Sequence, residues 1–399
     1  MPLELFATRD FNSQLQRSLG KVYLGAASVG EVMATAAAVT DGDTASWHQA
    51  WRGLADDLEA RGTSARQAGQ TETARRLFLR AAEAFRQASF FHRVDLDCAE
   101  LQAAWPRAES CFQAAMALTD FQWQGVEIPF EGRFLYGCLA MPGQGSGPWK
   151  TLIVPSGYDS CVEEAMVMNG LPALARGFAV LAVDGPGQGK TLYDRNTRAF
   201  MRPDYETVMA AVFDFAATRP ELDPARIAAI GTSFGGYLVP RAAAHESRIA
   251  ALVADPGQYD MGAAMLSRLP AALIEKLDED SAEAEAAFEK LAASPEGALL
   301  FRPRMAAHGT ATVQAYCRHL RAFSNRDHAP RITCPSLICD NEVDVVSTGQ
   351  GRELAGAMTG AAVEFVRFAA AEGAGGHCEG MGREIFDERV FPWLYRTLG

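Results

Sequence analysis

The stretch Gly231-Thr232-Ser233-Phe234-Gly235 has the G-x-S-x-G spacing of a serine nucleophile on a sharp turn between a strand and a helix. The apolar run RIAAI precedes this motif as a predicted strand, and GGYLVPRAAA follows it as a predicted helix. This context favours a nucleophile over the alternative, a glycine-rich loop without chemistry. Because side chains on both sides of the serine would collide in so tight a turn, we expect Gly231 and Gly235 to be required.

A serine hydroxyl needs a base before it can attack a carbonyl. Five histidines follow Ser233 in the chain: His245, His308, His319, His328 and His377. His245 lies about three turns along the helix predicted after Ser233 and cannot fold back onto it. The next three lie in or beside a helical segment and are the main alternative. We predict His377 as the base, because it lies in the glycine-rich loop AAEGAGGHCEGM after the last predicted strand.

The acid that orients the base is expected after the preceding strand, which gives the chain order Ser, Asp, His. The predicted strand SLIC is followed by Asp340, Glu342 and Asp344. Asp344 is favoured, because the acid must lie far enough past the strand to turn toward the imidazole. Asp340 is the runner-up, although capping of the loop is the more expected role for it. The acid would hold the tautomer of His377 and stabilise its imidazolium form.

Negative charge that develops on an attacked carbonyl oxygen is stabilised by backbone N–H donors. We expect the first donor to be the N–H of Phe234, at the start of the helix that follows the serine. The second is expected from the loop SGYDSCVEE after the strand TLIVP, where the backbone of Tyr158 is the best candidate and its ring can line a pocket. An ordinary turn at this position is the alternative.

Other polar residues fall on loops at the same predicted edge of the sheet. The candidate substrate contacts are Asp159, Asp255, Tyr259 and Asp260, the last three of which either orient substrate or cap their own loop. The stretch VDGPGQGKT lacks the G-x-x-x-x-G-K-[ST] spacing of a phosphate loop, so we expect a tight loop beside the site. Arg302 and Arg304 of FRPR can meet an acid or a phenolate, although such arginines are more often solvated.

Residues 1–120 are predicted to be helical, since Trp47, Trp51 and Leu58 recur at helical spacing and a second periodic segment follows the break at Gly69. The resulting hairpin is similar to a single tetratricopeptide-type unit. No further copy follows at a fixed period, and such arrays need about three repeats to be stable. A helical region packed on the main body is therefore the favoured interpretation. It either roofs the pocket or forms a homodimer contact.

From about residue 121 the periodicity changes to that of strands. FQWQGVEIPF and RFLYGCLAMP predict a hairpin joined at Glu131-Gly132. Further strands are predicted at residues 151–155, 178–184, 226–231, 249–255, 336–340 and 363–369, with a helix over 205–218 and a turn at DPA (223–225). Near-continuous apolar strands that alternate with helices predict a mostly parallel sheet covered on both faces.

The chain is expected to divide into four segments. They are an N-terminal helical region (1–120), a first part of an α/β core (121–258), a helical cap insertion (259–330, the cap segment) and a second part of the core (331–399). The cap segment contains helical patterns without a clear strand and lies between two sheet strands. It is therefore expected to cover the carboxyl edge of the sheet, where ligands bind in such folds.

Composition narrows the classes of partner. The formal charge of −12 argues against nucleic acid and against anionic membranes as partners. The eight cysteines show no C-x-x-C spacing and the histidines form no H-E-x-x-H motif, so no metal site and no disulfide framework are expected. No apolar stretch is long enough to span a bilayer. These features predict a cytoplasmic protein that acts on a small molecule without a cofactor.

The chain resembles the α/β-hydrolase superfamily over roughly residues 121–399. Within it, the sequence is similar to a branch with FrsA-like esterases, dihydroxypseudooxynicotine hydrolases and Ayg1-type polyketide-shortening hydrolases. The likeness rests on DGPGQG (184–189), GTSFGG (231–236), CDNEVD (339–344), AAEGAGGHCE (370–379) and the N-terminal stretches WHQAWRGLADDLEARG and ARRLFLRAAEAF. The resemblance implies a triad of Ser233, Asp344 and His377. The oxyanion loop of this chain has the sequence PSGYDS, which departs from the H-G form.

The resemblance also implies a reaction class. Members of the branch hydrolyse esters or cut a carbon–carbon bond beside a carbonyl, and one triad can serve both reactions. The expectation is a serine hydrolase for an apolar, aromatic or polyketide-like substrate. One alternative is a serine acyltransferase or cyclase that uses the same acyl-enzyme. The other is a scaffold protein whose triad is inert, against which the intact Ser, Asp and His in the expected order argue.

Overall fold

The computed structural model describes residues 4–344 and 346–399. The chain begins with five helices: α1 (Arg9–Leu19), α2 (Val29–Ala37), α3 (Thr44–Gln67), α4 (Thr71–Ser89) and α5 (Ala99–Met116). Helices α3 and α4 form the predicted hairpin, with Gly69 in a left-handed conformation at the turn. Trp47 and Trp51 are fully buried, and the ring of Phe11 from α1 lies 4.7 Å from that of Trp47. The helices of this region therefore share one aromatic core.

The sheet has eight strands: β1 (Gln122–Phe130), β2 (Arg133–Met141), β3 (Trp149–Pro155), β4 (Ala179–Asp184), β5 (Leu222–Thr232), β6 (Ala251–Asp255), β7 (Ser336–Asn341) and β8 (Val363–Phe368). Their order is β1-β2-β4-β3-β5-β6-β7-β8, and within the described ranges β2 pairs antiparallel with both β1 and β4, whereas all other neighbouring strands are parallel. Strands β1 and β2 are joined at Glu131 and Gly132, which both have positive φ, as a two-residue hairpin turn requires.

Helices cover both faces of this sheet. They include α6 (Val162–Ala165) and α7 (Leu171–Leu174), joined by a π-helical turn, and α8 (Gly189–Tyr193), α9 (Tyr205–Ala217) and α10 (Gly235–Ala243). Every residue of β4 is buried, as expected for a central strand of a covered parallel sheet. The predicted mostly parallel sheet, covered on both faces by helices and preceded by a helical region, is confirmed.

One local prediction is wrong. The turn expected at DPA is part of β5, which begins at Leu222 and continues without a break to Thr232. The Asp223 carboxylate accepts a hydrogen bond from the N–H of Ala225, which is the turn-like contact that the pattern suggested. The pairing of β3 with β5 shifts register between Trp149 and Thr151, so the extra residues are taken up as a bulge within the strand.

The cap segment contains α11 (Met261–Leu266), α12 (Ala271–Glu275), α13 (Ala282–Glu289), α14 (Pro295–His308) and α15 (Val313–Leu320). These helices enclose a small core of their own that includes Leu277, Phe288 and Tyr316. The fully buried amide of Asn325 ties the end of the segment to α10 and to the loop after β6, since its Nδ2 donates to the carbonyl oxygens of Tyr237 and Gln258, at 3.0 Å each. The chain ends with α16 (Gln350–Ala357) and α17 (Arg383–Leu398). Within the described ranges, no helix is both long and apolar enough to cross a membrane.

Candidate active site

Ser233 lies on a strained turn between β5 and α10. Its φ of 59° is in the left-handed region that side chains other than glycine rarely adopt, and its N–H donates to the carbonyl oxygen of Asp255 at 2.7 Å. A Cβ on Gly231 would lie 2.1 Å from the carbonyl oxygen of Gly235, and one on Gly236 would lie 1.9 Å from that of Pro256. The glycines that the turn requires are therefore Gly231 and Gly236.

The expectation that Gly235 is also sterically required is wrong. A Cβ on Gly235 would find its nearest neighbour, the carbonyl oxygen of Pro155, at 3.7 Å, which is an ordinary contact distance. This position therefore has room for a small side chain.

The structure brings Ser233, His377 and Asp344 into one hydrogen-bonded chain. Nε2 of His377 lies 2.8 Å from Oγ of Ser233, and Nδ1 of His377 lies 3.0 Å from Oδ1 of Asp344. Asp344 is 3% exposed, and its Oδ1 also accepts from the N–H of Val346 at 2.8 Å. A carboxylate held in this way fixes the imidazole with Nδ1 protonated, which leaves Nε2 free to accept the serine proton.

Electrostatics favour the same proton arrangement. Burial of His377 works to lower its pKa, but the charge and hydrogen bond of Asp344 outweigh this effect and raise the pKa above its ordinary value. Burial likewise works to raise the pKa of Asp344. This effect is outweighed by His377 and by the N–H groups of Val346 and Ser347, which hold that pKa below its ordinary value. Asp344 therefore stays ionised beside an imidazole of increased basicity.

The other acids and histidines considered from the sequence lie elsewhere. Asp340 contacts neither His377 nor Ser233; it lies against α16, close to Gly351. His245 and His328 bond to each other, with 2.9 Å between their ring nitrogens. His308 and His319 belong to the cap segment, where their Nδ1 atoms are 3.2 Å apart.

Two backbone N–H groups beside Ser233 are available as donors. Among the described residues, no hydrogen bond uses the N–H of Phe234 or that of Tyr158. Gly157, which precedes Tyr158, lies against the turn at Ser233 between β5 and α10 (the elbow), since a Cβ on it would be 3.5 Å from Cβ of Ser233. The loop that carries Tyr158 therefore approaches the serine, and the N–H groups of Phe234 and Tyr158 are both unpaired, as stabilisation of an oxyanion would require.

The loop DGPGQG holds the oxyanion loop in place. The Gln188 side chain accepts from the N–H of Gly185 at 2.7 Å, and its Nε2 donates to the carbonyl oxygens of Ser156 and Gly157, the latter at 3.1 Å. The Asp184 carboxylate accepts from the hydroxyl of Ser156 at 2.7 Å. This loop lies beside the site, as expected, and its function in the fold is to fix the backbone that carries Tyr158.

Ser233 and His377 face a cavity of about 350 Å³, a size suited to a small molecule. Its walls come from the N-terminal helices, the oxyanion loop and the cap segment. The contributing residues include Gln14, Arg17, Phe90 and Phe91 from the first region, and Met261, Met265, Leu299, Arg304 and Tyr316 from the cap segment. The N-terminal helical region therefore lines the cavity, which favours its role as a roof of the pocket over a role as a homodimer contact.

Asp159 lines this cavity, but its carboxylate is already paired. It lies 2.8 Å from a guanidinium nitrogen of Arg17 and 3.7 Å from one of Arg93. Arg17 also binds Glu164, which in turn contacts the buried ammonium group of Lys21 at 2.5 Å. These ion pairs join α1 to the core, so Asp159 primarily anchors the N-terminal region at the cavity wall.

Asp255, Tyr259 and Asp260 are not among the residues that line this cavity, which favours capping of the loop over contact with substrate. Asp255 is 1% exposed and its carboxylate points to the buried guanidinium of Arg383, at 2.5 Å. Asp260 caps α11 by accepting from the N–H of Ala263. The backbone N–H of Tyr259 donates to Gln350.

Arg383 is a site residue that sequence reasoning missed. It is fully buried, and its guanidinium binds Asp255, Glu379 at 3.2 Å and the amide oxygen of Asn169 at 2.7 Å. Burial and the charge of Asp255 raise the pKa of Glu379 well above its ordinary value. Cys378 and Glu379 both have positive φ, directly after His377. The group therefore fixes the loop that carries the imidazole.

A second missed group lies where the oxyanion loop meets the cap segment. The hydroxyl of Tyr158 lies 2.5 Å from Nε2 of His308 and 3.4 Å from the hydroxyl of Tyr316. Burial lowers the pKa of His308 well below its ordinary value, so the imidazole is neutral. Tyr158, whose backbone N–H is a candidate oxyanion donor, is thus linked to α14 and α15 through its side-chain hydroxyl.

Away from the cavity, His92, Cys98 and Glu100 place one potential metal-ligand atom each within 4.8 Å of one another. Sequence spacing did not suggest this group. Structural zinc sites have four ligands, and these three side chains are partly or largely exposed. The chemistry of the cavity does not involve them.

Comparisons with known proteins agree with this architecture. The model of the alpha/beta hydrolase family matches residues 138–387. Hydrolase LUC6 of a Fusarium species is 38% identical over 277 residues, which cover 67% of this chain and 65% of that protein. The 20-hydroxy-prefusarin hydrolase FUS2 of Gibberella moniliformis is 34% identical over 275 residues, with 67% and 65% covered. The match thus spans slightly less than two thirds of these relatives' length.

Solved structures show the same fold. The 2,6-dihydroxy-pseudo-oxynicotine hydrolase superposes with a TM-score of 0.72 at 22% identity, over 95% of both chains. AbyA5 superposes with a TM-score of 0.63 at 15% identity, over 92% of this chain and 90% of that one. Both superpositions include the N-terminal helical region, so that region is part of a shared architecture.

Proposed function

This chain belongs to the alpha/beta hydrolase family, and we propose that it is a serine hydrolase that works through an acyl-enzyme. The observation that carries the proposal is the chain of hydrogen bonds from Asp344 through His377 to Ser233, at 3.0 and 2.8 Å, on the wall of a cavity. A hydroxyl bonded to an imidazole that a buried carboxylate orients is the arrangement that makes serine nucleophilic.

In the first half-reaction, Oγ of Ser233 attacks the substrate carbonyl carbon while Nε2 of His377 takes the hydroxyl proton. The carbonyl oxygen becomes an oxyanion that the N–H groups of Phe234 and Tyr158 stabilise. Collapse of this intermediate breaks the bond to the leaving group, which takes the proton from His377. The leaving group is an alkoxide in an ester and an enolate in a 1,3-dicarbonyl compound.

In the second half-reaction, water replaces the leaving group. His377 removes a proton from water as the water oxygen attacks the acyl carbon, and the same N–H groups hold the new oxyanion. The carboxylic acid product leaves, and Ser233 recovers its proton from the imidazole. The chemistry consumes one water per bond cleaved and uses side chains of this chain throughout.

The walls of the cavity support a substrate with apolar or aromatic parts. Phe90, Phe91, Met261, Met265 and Leu299 line it beside the polar groups near Ser233. One relative of this chain is named for hydrolysis of 20-hydroxy-prefusarin. We propose a polyketide-like substrate of moderate size, with the scissile bond of an ester or a bond between carbons beside a carbonyl.

The test uses two aromatic substrates of matched size, one an ester and one a 1,3-diketone, in ¹⁸O-labelled water. Products from the wild type and from Ser233→Ala are read by mass spectrometry, with Ser110→Ala on the exposed face of α5 as a matched control. We expect ¹⁸O in the carboxylate product and at least a 10³-fold loss with Ser233→Ala only.

Each outcome separates one reaction from another. Cleavage of the ester alone indicates an esterase, and serine-dependent cleavage of the diketone indicates a carbon–carbon hydrolase. Products without ¹⁸O indicate an acyltransferase or cyclase, in which a hydroxyl or amine replaces water. Activity that persists in Ser233→Ala contradicts the proposed mechanism.

A further inference from the structure

The cavity wall contains three arginines, and they differ in how their charges are balanced. Arg17 and Arg93 both contact the carboxylate of Asp159, and Arg17 also binds Glu164. Arg304 is different: among residues 4–344 and 346–399, no carboxylate lies within ion-pair distance of its guanidinium. Its Nη1 donates to the carbonyl oxygen of Leu300, one turn earlier in α14.

Arg302, two residues earlier in α14, forms an ion pair within the cap segment. Its guanidinium binds the carboxylate of Glu289 at 2.8 Å, and it is not among the residues that line the cavity. The FRPR stretch therefore contains one arginine neutralised by the cap segment itself and one, Arg304, that faces the cavity with its charge unpaired.

The surroundings of Arg304 are suited to an anionic oxygen group. Its guanidinium lies 5.7 Å from the ring centre of Tyr158, whose hydroxyl is close to that of Tyr316. The backbone N–H of Tyr158 is a candidate oxyanion donor. The Tyr158 side chain therefore lies between Arg304 and the position expected for the reacting carbonyl. The carboxyl groups of Asp10 on α1 and of Asp159 line the same cavity beyond ion-pair distance, and the charge of Arg304 works to lower the pKa of each.

We infer that Arg304 is a substrate-binding residue, and that it selects substrates with an anionic oxygen group, a carboxylate or an enolate, on the cap side of the cavity. A guanidinium presents N–H donors in a planar fork, which match the two oxygens of a carboxylate or of a 1,3-dicarbonyl enolate. The inference rests on the proposed function and adds the chemical class of the substrate. In a 1,3-dicarbonyl compound the same contact would hold the oxygen on which leaving-group charge develops.

The test compares substrates that differ only in charge. 4-Acetoxybenzoate and 4-acetoxybenzamide place a carboxylate or its neutral isostere on the leaving group. The 4-nitrophenyl half-ester of glutaric acid and the corresponding glutaramate place it on the acyl part. The kcat/KM ratio of each pair is measured for the wild type, Arg304→Gln, Arg304→Lys and the control Arg302→Gln.

We expect the wild type to prefer the carboxylate in at least one pair. Arg304→Gln should reduce that preference by about 10- to 100-fold, chiefly through KM of the carboxylate substrate, with a smaller loss on the neutral partner. Arg304→Lys should retain part of the preference, because lysine keeps the charge without the paired donors. Arg302→Gln should leave the ratio unchanged.

Two results would overturn the inference: a wild type without preference for either carboxylate, or an Arg304→Gln variant with both ratios unchanged. Ser233→Ala separates this failure from failure of the proposed function. Suppose that Ser233→Ala abolishes turnover of all four substrates, while the kcat/KM ratios of the wild type and of Arg304→Gln are equal. The hydrolase mechanism is then supported and the anionic subsite is contradicted. If Ser233→Ala retains turnover, the proposed mechanism itself is contradicted.

Discussion

The N–H of Ser233 donates to the main-chain carbonyl oxygen of Asp255 at 2.7 Å, while the Asp255 carboxylate binds the guanidinium of Arg383 at 2.5 Å. One residue at the end of β6 thus contacts the nucleophile with its backbone and a buried cation with its side chain. Arg383 also binds Glu379, two residues after His377. The strained serine turn and the histidine loop are therefore held by the same charged group.

Arg383→Gln should destabilise the protein strongly, because Asp255 would remain buried without its cation. Loss of one partner from a buried ion pair costs about 3–5 kcal/mol. The control is Arg389→Gln, which removes the exposed ion pair of the same helix with Glu372 and should cost at most about 1 kcal/mol. Urea unfolding of both variants measures the difference. Equal free energies of unfolding would show that the buried network contributes no more than a surface pair.

Gln188→Leu should lower kcat with little change in KM. The side-chain amide holds the carbonyl oxygens of Ser156 and Gly157, so its loss lets the Tyr158 N–H drift from the oxyanion. Removal of one oxyanion donor costs about 10²–10³ in kcat, and a misplaced donor should cost up to that amount. Steady-state kinetics on an aryl ester would be compared with Gln67→Leu on the exposed face of α3. An unchanged kcat would show that the contacts of Gln188 with this loop do not support catalysis.

Some of this arrangement can be read from the sequence because it is local. The Ser233 motif, the strand before it and the helix after it occupy adjacent positions, so periodicity and glycine spacing predict the turn. The loops that carry Asp344 and His377 each follow an apolar strand. Parallel strands end at one edge of the sheet, and this topology brings the two loops to the serine.

The rest depends on contacts between distant parts of the chain. Arg383 and its partner Asn169 are 214 residues apart, and no local pattern marks either of them. Arg17 reaches the cavity because α1 packs against the oxyanion loop, which helical periodicity does not indicate. Asp255 and Asp260 follow a strand at the expected edge, yet the direction of a loop side chain depends on what packs beneath it.

The rate at low pH should report the basicity of His377. Only the neutral imidazole accepts the serine proton, and Asp344 raises the pKa of His377 above its ordinary value of 6.5. The acid limb of kcat/KM should therefore have an apparent pKa above 6.5. In Asp344→Asn the raising influence is lost and burial remains, so the limb should move to lower pH while kcat falls about 10³- to 10⁴-fold. A limb that stays in place would show that Asp344 does not act on the titrating group.

Gly235 and Gly236 are adjacent, yet substitution by alanine should affect them very differently. In Gly236→Ala the new Cβ would lie 1.9 Å from the carbonyl oxygen of Pro256, so the backbone below the elbow must move and Ser233 must move with it. We expect a loss of about 3 kcal/mol or more in stability and little activity. In Gly235→Ala the nearest atom is 3.7 Å away, and both properties should stay near the wild type. Thermal unfolding and ester hydrolysis measure both variants. Equal behaviour would contradict the steric account of this turn.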